Sequence, residues 1–234
     1  MVLFSGGIDS TYLVYKNLKE GNIVFPVYID FENNYEKGLI EKQQIDILYN
    51  MFSKGFPGKI REPEKGVKCY TEHCNISTPQ LPFQIISIIY SQYFFKVDEV
   101  HIGYIKNELS EDGAFDIQRA YHSFKGLIFD AHNNDKKMPE LVFPLKDMSK
   151  KVITHFLPEE YLQETFSCEV PVVKGVIFNA ITGKFFGKPK KDKNGRIIFK
   201  NCNACHACYT QKEEIPDFYD KKEHTKHTRR FDFI

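Results

Sequence analysis

Two consecutive glycines near the start of the chain constrain its fold more than any other feature. Gly6 and Gly7 lie between an apolar strand pattern, Met1–Phe4, and a helical pattern over Thr11–Lys19. Glycine lets the backbone approach oxyanions closely, and the first turn of a helix presents unpaired N–H groups and a partial positive charge. A strand that turns through two glycines into a helix is therefore predicted to bind phosphate groups.

Strand and helix patterns alternate along the N-terminal half, which predicts an α/β fold with a parallel sheet and helices on both faces. Pro26 within the second strand predicts an irregularity or a position near the sheet edge. The segment Lys54–Pro79 is predicted to be a loop with one short strand near Ile60. The predicted strands are Met1–Phe4, Ile23–Ile29, Glu99–Gly103 and Leu141–Phe143, and the predicted helices are Thr11–Lys19, Glu36–Phe52, Pro82–Lys96, Asp116–Phe129 and Ser149–Phe156, the last capped by Ser149.

The composition changes after about Cys168. We predict a nucleotide-binding α/β domain over residues 1–165 and a smaller metal-binding region over residues 166–234. Short apolar runs joined by glycine- and lysine-rich turns predict a β-hairpin insertion at about 171–200.

The charged residues of the chain nearly cancel, at a net charge of +1. This balance predicts no strong capture of nucleic acid or membranes, although a local patch is compatible with it. No apolar run is long enough to span a bilayer, and a first strand that starts at residue 1 leaves no room for a signal peptide. We expect a soluble cytoplasmic protein.

Three cysteines spaced two residues apart, Cys202, Cys205 and Cys208, predict a metal site, because a tight turn can wrap them around one cation. A closed tetrahedral site needs a fourth ligand, for which Cys168, His206, Cys69 and Cys74 are candidates, and Cys168 is favoured. The metal could be zinc or the iron of an iron–sulfur cluster. His73 between Cys69 and Cys74 is a weaker hint of a second site.

The glycine loop is not a Walker A motif, since it lacks the Lys-Ser/Thr pair, and it lacks the third glycine of the dinucleotide fingerprint. Its SGGxDS pattern resembles the PP-loop of ATP pyrophosphatases, in which ATP is cleaved between its α- and β-phosphates. The resemblance implies catalytic roles for Ser5 and Asp9, the latter through Mg²⁺ bound with ATP. Asp30 at the end of the second strand could position ATP or cap a turn. The predicted ATP-binding residues are Phe4, Ser5, Gly6, Gly7, Ile8, Asp9, Ser10, Thr11, Asp30 and Gly103.

Several segments in order resemble the 7-cyano-7-deazaguanine synthase family. The family binds structural zinc through four cysteines, which correspond here to Cys168, Cys202, Cys205 and Cys208. It also tends to form homodimers. The matching segments are Phe4–Thr11 (FSGGIDST), Leu81-Pro82, Ile102-Gly103, Phe143–Lys150 (FPLKDMSK) and Thr165–Cys168 (TFSC) before the cysteine cluster.

The resemblance implies a ligase of queuosine biosynthesis that uses ATP and ammonia to convert 7-carboxy-7-deazaguanine into the nitrile preQ0. Glu108, Asp116 and Arg119 are the candidate substrate residues. Phe83-Gln84 stand where the family usually has Arg-Asn, and Gly113–Arg119 (GAFDIQR) replaces the stretch that helps form the family's substrate region, with only Asp116 and Arg119 as possible equivalents. At the cysteine site, about thirty residues separate Cys168 from the other cysteines, which lie close together in the family. Alternatives are a thiolating tRNA-modifying PP-loop enzyme, a related enzyme that acts on another carboxylate, and a nucleotide-binding regulator without catalysis. Lys146 and Lys150 could face phosphates or be solvated.

Overall fold

A five-stranded parallel sheet lies at the centre of the computed structural model, which describes residues 1–31, 34–68, 97–106, 117–123, 139–179 and 184–216. Each neighbouring pair of its strands is parallel. The strands are β1 (Val2–Leu3), β2 (Pro26–Asp30), β3 (Glu64–Lys68), β4 (Glu99–His101) and β5 (Glu140–Val142), in the spatial order β3-β2-β1-β4-β5.

Five helices with defined ends accompany the strands within the described residues: α1 (Ile8–Lys19), α2 (Tyr35–Gly55), α3 (Lys150–Phe156), α4 (Glu159–Gln163) and α5 (His206–Glu214). The side chain of Asn34 caps α2 by accepting a hydrogen bond from the Lys37 N–H at 3.0 Å. Ser149 caps α3 by accepting from the Val152 N–H, as its sequence position predicts. Residues 117–123 form a further helical segment.

Alternate side chains of residues 1–4, which include β1, enter two separate hydrophobic clusters, one on each face of the sheet. Val2 and Phe4 join the first cluster, which contains Leu13 of α1 and Phe52 of α2. Met1 joins the second, which the helical segment 117–123 covers with Ile117 and Tyr121. Helices therefore cover both faces of a parallel sheet, and the predicted fold class is confirmed.

Pro26 is the first residue of β2, and β2 lies between β3 and β1 rather than at the edge. Proline is tolerated at the first position of a strand, because the hydrogen-bond ladder starts there and loses no internal bond when the N–H is missing. The predicted irregularity is present, since the pairing of β2 with β3 shifts register between Val27 and Ile29. β2 is also the strand next to the edge strand β3, so its position near the sheet edge agrees with the prediction.

The predicted loop over Lys54–Pro79 contains a strand that the sequence pattern did not indicate. Ile60 forms an isolated parallel bridge with Val24, in agreement with the short strand expected there, but the longer strand is β3. The charges and glycine of β3 give no alternating pattern, and β3 lies at the edge of the sheet, where charged residues are tolerated. The predicted helix Pro82–Lys96 lies outside the described residues, and of Asp116–Phe129 only 117–123 is described.

Two short antiparallel sheets occupy the predicted insertion at 171–200. β6 (Val172–Val173) pairs with β9 (Phe199–Lys200), and β7 (Val176–Asn179) pairs with β8 (Lys184–Gly187) as a hairpin. A third apolar cluster joins this region to α2 through Ile40, Phe166 and Val173. No helix in the described part of the chain has the length and apolar character needed to cross a membrane.

Truncation of Phe52 tests the core between α2 and α4. Its ring is fully buried and stacks on Tyr161, with 4.5 Å between the centroids. We expect Phe52→Ala to lower the free energy of unfolding by about 3–5 kcal/mol, through lost burial and the cavity that remains. Urea denaturation followed by circular dichroism measures this loss. The control Phe156→Ala removes a ring that is 57% exposed, so its effect should stay within about 0.5 kcal/mol. Equal effects of the two variants would contradict this packing.

Candidate functional site

A cavity of about 290 Å³ opens at the carboxyl ends of β1, β2 and β4. The order β3-β2-β1-β4-β5 places β1 at the point where the chain connections run to opposite sides, and ligands of open α/β sheets bind at that point. Of the predicted ATP-binding residues, the cavity is lined by Phe4, Ser5, Gly7, Asp9, Ser10, Asp30 and Gly103, whereas Gly6, Ile8 and Thr11 do not line it.

The turn between β1 and α1 depends on its glycines. Gly6 has a φ of +74°, a backbone conformation that L side chains rarely adopt. Ser10 Oγ donates to the Gly7 carbonyl at 3.2 Å and lies 3.2 Å from Ser5 Oγ, so the two hydroxyls are held on the inside of the turn. Gly7 is the N-cap of α1 and has no side chain to cap it, in contrast to Asn34 and Ser149 on α2 and α3. The first turn of α1 therefore lacks a side-chain acceptor, as an anion site requires.

Gly103 packs directly on this turn. A Cβ at residue 103 would lie 3.4 Å from the backbone nitrogen of Ser10 and 3.5 Å from the carbonyl carbon of Asp9. A larger side chain here would press on the first turn of α1. Gly103 therefore lets the loop after β4 approach the start of α1, and its predicted role in ATP binding stays a prediction.

Asp9 and Lys150 form an ion pair inside the cavity, with 3.2 Å between Lys150 Nζ and Asp9 Oδ2. Lys150 is the first residue of α3 and is buried, so it is not an ordinary solvated lysine. Burial raises the pKa of Asp9, and the charge of Lys150 opposes this rise. The second carboxylate oxygen, Oδ1, is buried without a hydrogen-bond partner among the described residues. An unpaired buried oxygen of this kind is suited to a metal ion or a ligand donor.

Asp30 ends β2 and lines the same cavity, where it forms an ion pair with Lys42 of α2. Lys146, the other lysine considered for phosphate binding, is exposed and does not line the cavity. Arg119 is exposed on the helical segment 117–123 and is not a cavity residue either, so the structure does not bring it to the glycine loop. Glu108 and Asp116 lie outside the described residues, as do Cys69, His73 and Cys74.

The sequence analysis did not identify four polar side chains that line the cavity. They are Tyr28, Lys37, Glu41 and Glu169. Tyr28 donates to Glu41 Oε2 at 2.7 Å, and Lys37 forms ion pairs with Glu41 and Glu169. Burial raises the pKa of Glu41 to about 7, although Lys37 and the Tyr28 hydroxyl oppose the rise. Glu41 and Lys37 lie on the cavity side of α2, an arrangement that appears only when α2 packs beside β2.

The four predicted metal ligands come together. The sulfurs of Cys168, Cys202, Cys205 and Cys208 all lie within 4.8 Å of one another. Burial by itself would raise the pKa of Cys202, but hydrogen bonds from the Ala204 and Cys205 N–H groups lower it to about 7. Such N–H donors stabilise thiolates, the form that binds metal. The set could hold a metal ion, and His206, an alternative fourth ligand, is exposed instead.

No protein-family model matches this chain, and no curated protein sequence matches it. One solved structure that resembles it is the U34-tRNA thiolase NcsA from Methanococcus maripaludis with its [4Fe-4S] cluster. The two chains are 10% identical over 99% of this chain and 73% of the other, with a TM-score of 0.39. A similarity at this level transfers no function to the present chain.

The raised pKa of Glu41 predicts a measurable pH dependence of stability. An acid whose pKa is higher in the folded state stays protonated after its unfolded counterpart has ionised, so stability falls as pH rises from about 4.5 to about 7. Glu41→Gln removes this titration and keeps an acceptor for Tyr28. We expect its free energy of unfolding, relative to wild type, to increase between pH 5 and pH 8 by at most about 3 kcal/mol. Urea denaturation at both pH values measures the change. For the exposed control Glu159→Gln, the free energy of unfolding relative to wild type should be the same at both pH values. The same result for Glu41→Gln would contradict the raised pKa of Glu41.

Proposed function

We propose that the chain is an ATP-dependent enzyme that cleaves ATP between its α- and β-phosphates to adenylate a carboxylate. The observation that supports this most is the Asp9–Lys150 ion pair beside a glycine turn whose helix has no side-chain cap. The turn offers backbone N–H groups to an oxyanion, and Lys150 supplies the cation that a Walker A loop would contain within itself. The SGGxDS pattern, which resembles the PP-loop, is consistent with α–β cleavage.

A Mg²⁺ ion fits the acidic part of this site. Asp9 Oδ1 is buried and unpaired among the described residues, and carboxylate oxygen is a preferred magnesium ligand. Asp9 would hold the ion through this oxygen, with the remaining ligands supplied by phosphates and water. Bound there, Mg²⁺ would offset the negative charge of the departing pyrophosphate. Lys150 remains beside the other oxygen of Asp9 and can donate to phosphate oxygens.

We propose 7-carboxy-7-deazaguanine as the carboxylate, on the motif resemblance described above. A carboxylate oxygen attacks the α-phosphorus and pyrophosphate leaves, which forms an acyl adenylate. Ammonia then displaces AMP and gives the amide. A second ATP activates the amide oxygen, and loss of that oxygen with AMP leaves the nitrile. In each activation Ser5, Ser10 and the first turn of α1 stabilise the pyrophosphate, since charge develops there as the P–O bond breaks.

We propose that the four-cysteine site holds a single structural zinc ion. Tetrahedral zinc with bonds of about 2.3 Å places ligand sulfurs about 3.8 Å apart. The Cys168 and Cys202 sulfurs are 3.6 Å apart, and all four lie within 4.8 Å. In an iron–sulfur cluster the four thiolates bind two or four different iron atoms, so the set of sulfurs spreads farther apart than around one ion. The compact donor set therefore favours one ion over a cluster.

The nucleotide chemistry can be tested with Asp9→Asn and Lys150→Gln. The purified protein is incubated with ATP, Mg²⁺, ammonium and 7-carboxy-7-deazaguanine, and AMP, pyrophosphate and the nitrile are quantified by mass spectrometry. We expect each variant to lower AMP formation at least about a hundredfold, because each removes charge stabilisation of the transition state. Lys151→Gln, an exposed neighbour, should retain wild-type rates.

Each outcome of that assay separates the candidate functions. Release of ADP and phosphate would contradict α–β cleavage, and AMP without nitrile would point to a different carboxylate. The absence of any nucleotide cleavage would favour a regulatory protein. Full activity of Asp9→Asn would refute the assignment of the glycine loop.

The metal assignment predicts one zinc per chain by elemental analysis and no broad absorbance band in the visible region. Cys202→Ser should lose the metal and unfold at lower temperature, since metal binding contributes to folding. His206→Ala should keep the metal, because that side chain is exposed and outside the ligand set. Stoichiometric iron with visible absorbance would overturn the zinc assignment, and metal loss in His206→Ala would overturn the ligand set.

A further inference from the structure

Positive charge is concentrated in one segment of a nearly neutral chain. Residues 171–200 contain eight lysine and arginine residues and one acidic residue, Asp192, whereas the whole chain has a net charge of +1. The segment therefore has a net charge of +7, and the rest of the chain is net negative. The eight basic residues are Lys174, Lys184, Lys188, Lys190, Lys191, Lys193, Arg196 and Lys200.

Four of these cations are exposed and lie close together in sequence after β8: Lys188, Lys190, Lys191 and Lys193. None of the four forms an ion pair with a described residue, while Arg196 is paired with Glu164 at 3.1 Å. The carboxylate of Asp192 accepts hydrogen bonds from the Asn194 and Arg196 N–H groups, so it is engaged in the turn. The four lysines thus create a local positive potential that the net charge of the chain conceals.

Aromatic rings are exposed on the adjoining hairpin. Phe178 is 55% exposed and Phe186 is 50% exposed, and Ile177, opposite Phe186, is 70% exposed. The ring of Phe178 lies 5.1 Å from that of Phe185, which lies 5.7 Å from the half-exposed Tyr35. Tyr35 is the first residue of α2 and follows Asn34, a cavity residue. The rings of Phe178, Phe185 and Tyr35 therefore form a row of contacts that ends beside the cavity. Phe186 lies on the opposite face of the hairpin, because neighbouring residues of a strand face opposite sides.

We propose that this hairpin and lysine turn bind an unpaired nucleic-acid strand. Lysines neutralise successive phosphates, and exposed rings offer faces on which unstacked bases can lie. The combination favours a nucleic-acid strand over a lipid surface, because a membrane needs one continuous apolar face, whereas Phe178 and Phe186 lie on opposite faces of the hairpin. RNA and DNA share the chemistry that this surface recognises. The proposal goes beyond the small-molecule reaction proposed above and does not depend on it.

Fluorescence anisotropy of the full chain with labelled mixed-sequence 20-nucleotide strands, one RNA and one DNA, tests the proposal. Four phosphate contacts predict roughly fifty-fold weaker binding at 200 mM salt than at 50 mM. The variant with Lys188, Lys190, Lys191 and Lys193 all changed to Gln should bind at least about tenfold more weakly at 50 mM salt and lose most of the salt dependence. A matched control changes the exposed Lys19, Lys54, Lys151 and Lys212 to Gln and should bind as wild type does.

The aromatic contribution has its own variants. Phe186→Ala should weaken binding about tenfold at both salt concentrations, because stacking does not release counterions. Ile177→Ala, on the same face of the hairpin, should have little effect. Melting temperatures near wild type would show that these surface variants remain folded.

The proposal is supported if either strand binds, and if the lysine and Phe186 substitutions weaken this binding while the control substitutions do not. The ratio of the two affinities then identifies RNA or DNA as the preferred ligand. Absence of binding to both strands at 50 mM salt would overturn it. An equal loss of affinity in the fourfold lysine variant and in its matched control would overturn the assignment of binding to this segment. Tighter binding to phosphatidylserine-containing vesicles than to either strand would identify a membrane surface instead and would also overturn it.

Discussion

The short central strand β1 is the constraint on which the rest of the structure depends. It is hydrogen-bonded on both sides: the Val2 and Phe4 N–H groups donate to carbonyls of Phe25 and Val27, and the Met1 carbonyl accepts from His101 at 2.8 Å. Its side chains pack in the clusters on both faces, Val2 in the first and Leu3 against the second. Because the strand cannot shift without breaking both ladders, the glycine turn that follows it is held at the carboxyl edge of the sheet. Asp9, Ser10 and the loop after β4 are placed by this one strand.

A second link joins the glycine turn to the cysteine site. The Phe166 N–H donates to the Gly6 carbonyl at 2.9 Å, and Ser167 and Glu169, on either side of Cys168, line the cavity. The cysteine cluster therefore adjoins a wall of the cavity and is linked by this hydrogen bond to the glycine turn. A structural metal at this position would order the backbone of residues 166–169 without taking part in the chemistry. The predicted domain division at residue 165 stays a prediction, and this contact crosses it.

Local sequence patterns were sufficient for the fold class and for parts of the site. Strand–helix alternation predicted the parallel sheet, and the strand–Gly-Gly–helix junction predicted the turn, because backbone conformation there depends on the residues themselves. The spacing of the last three cysteines predicted a cluster, and the favoured fourth ligand, Cys168, lies with them. Strand β3 was missed because its pairing with β2, rather than its own side chains, makes it a strand.

The sequence by itself determined the conformation of the Gly6-Gly7 turn, the helix that starts after it and the set of thiols available to a metal. Tertiary structure alone decided which distant side chains meet that turn. Lys150 reaches Asp9 from a helix more than a hundred residues away, Glu41 and Lys37 reach the cavity from α2, and Arg119 stays outside it. Residues so far apart in sequence leave no local periodicity that relates them, because their proximity follows from how helices pack across the sheet. Charge shows the same division: the sequence itself concentrates lysines after β8, and the fold leaves those side chains exposed.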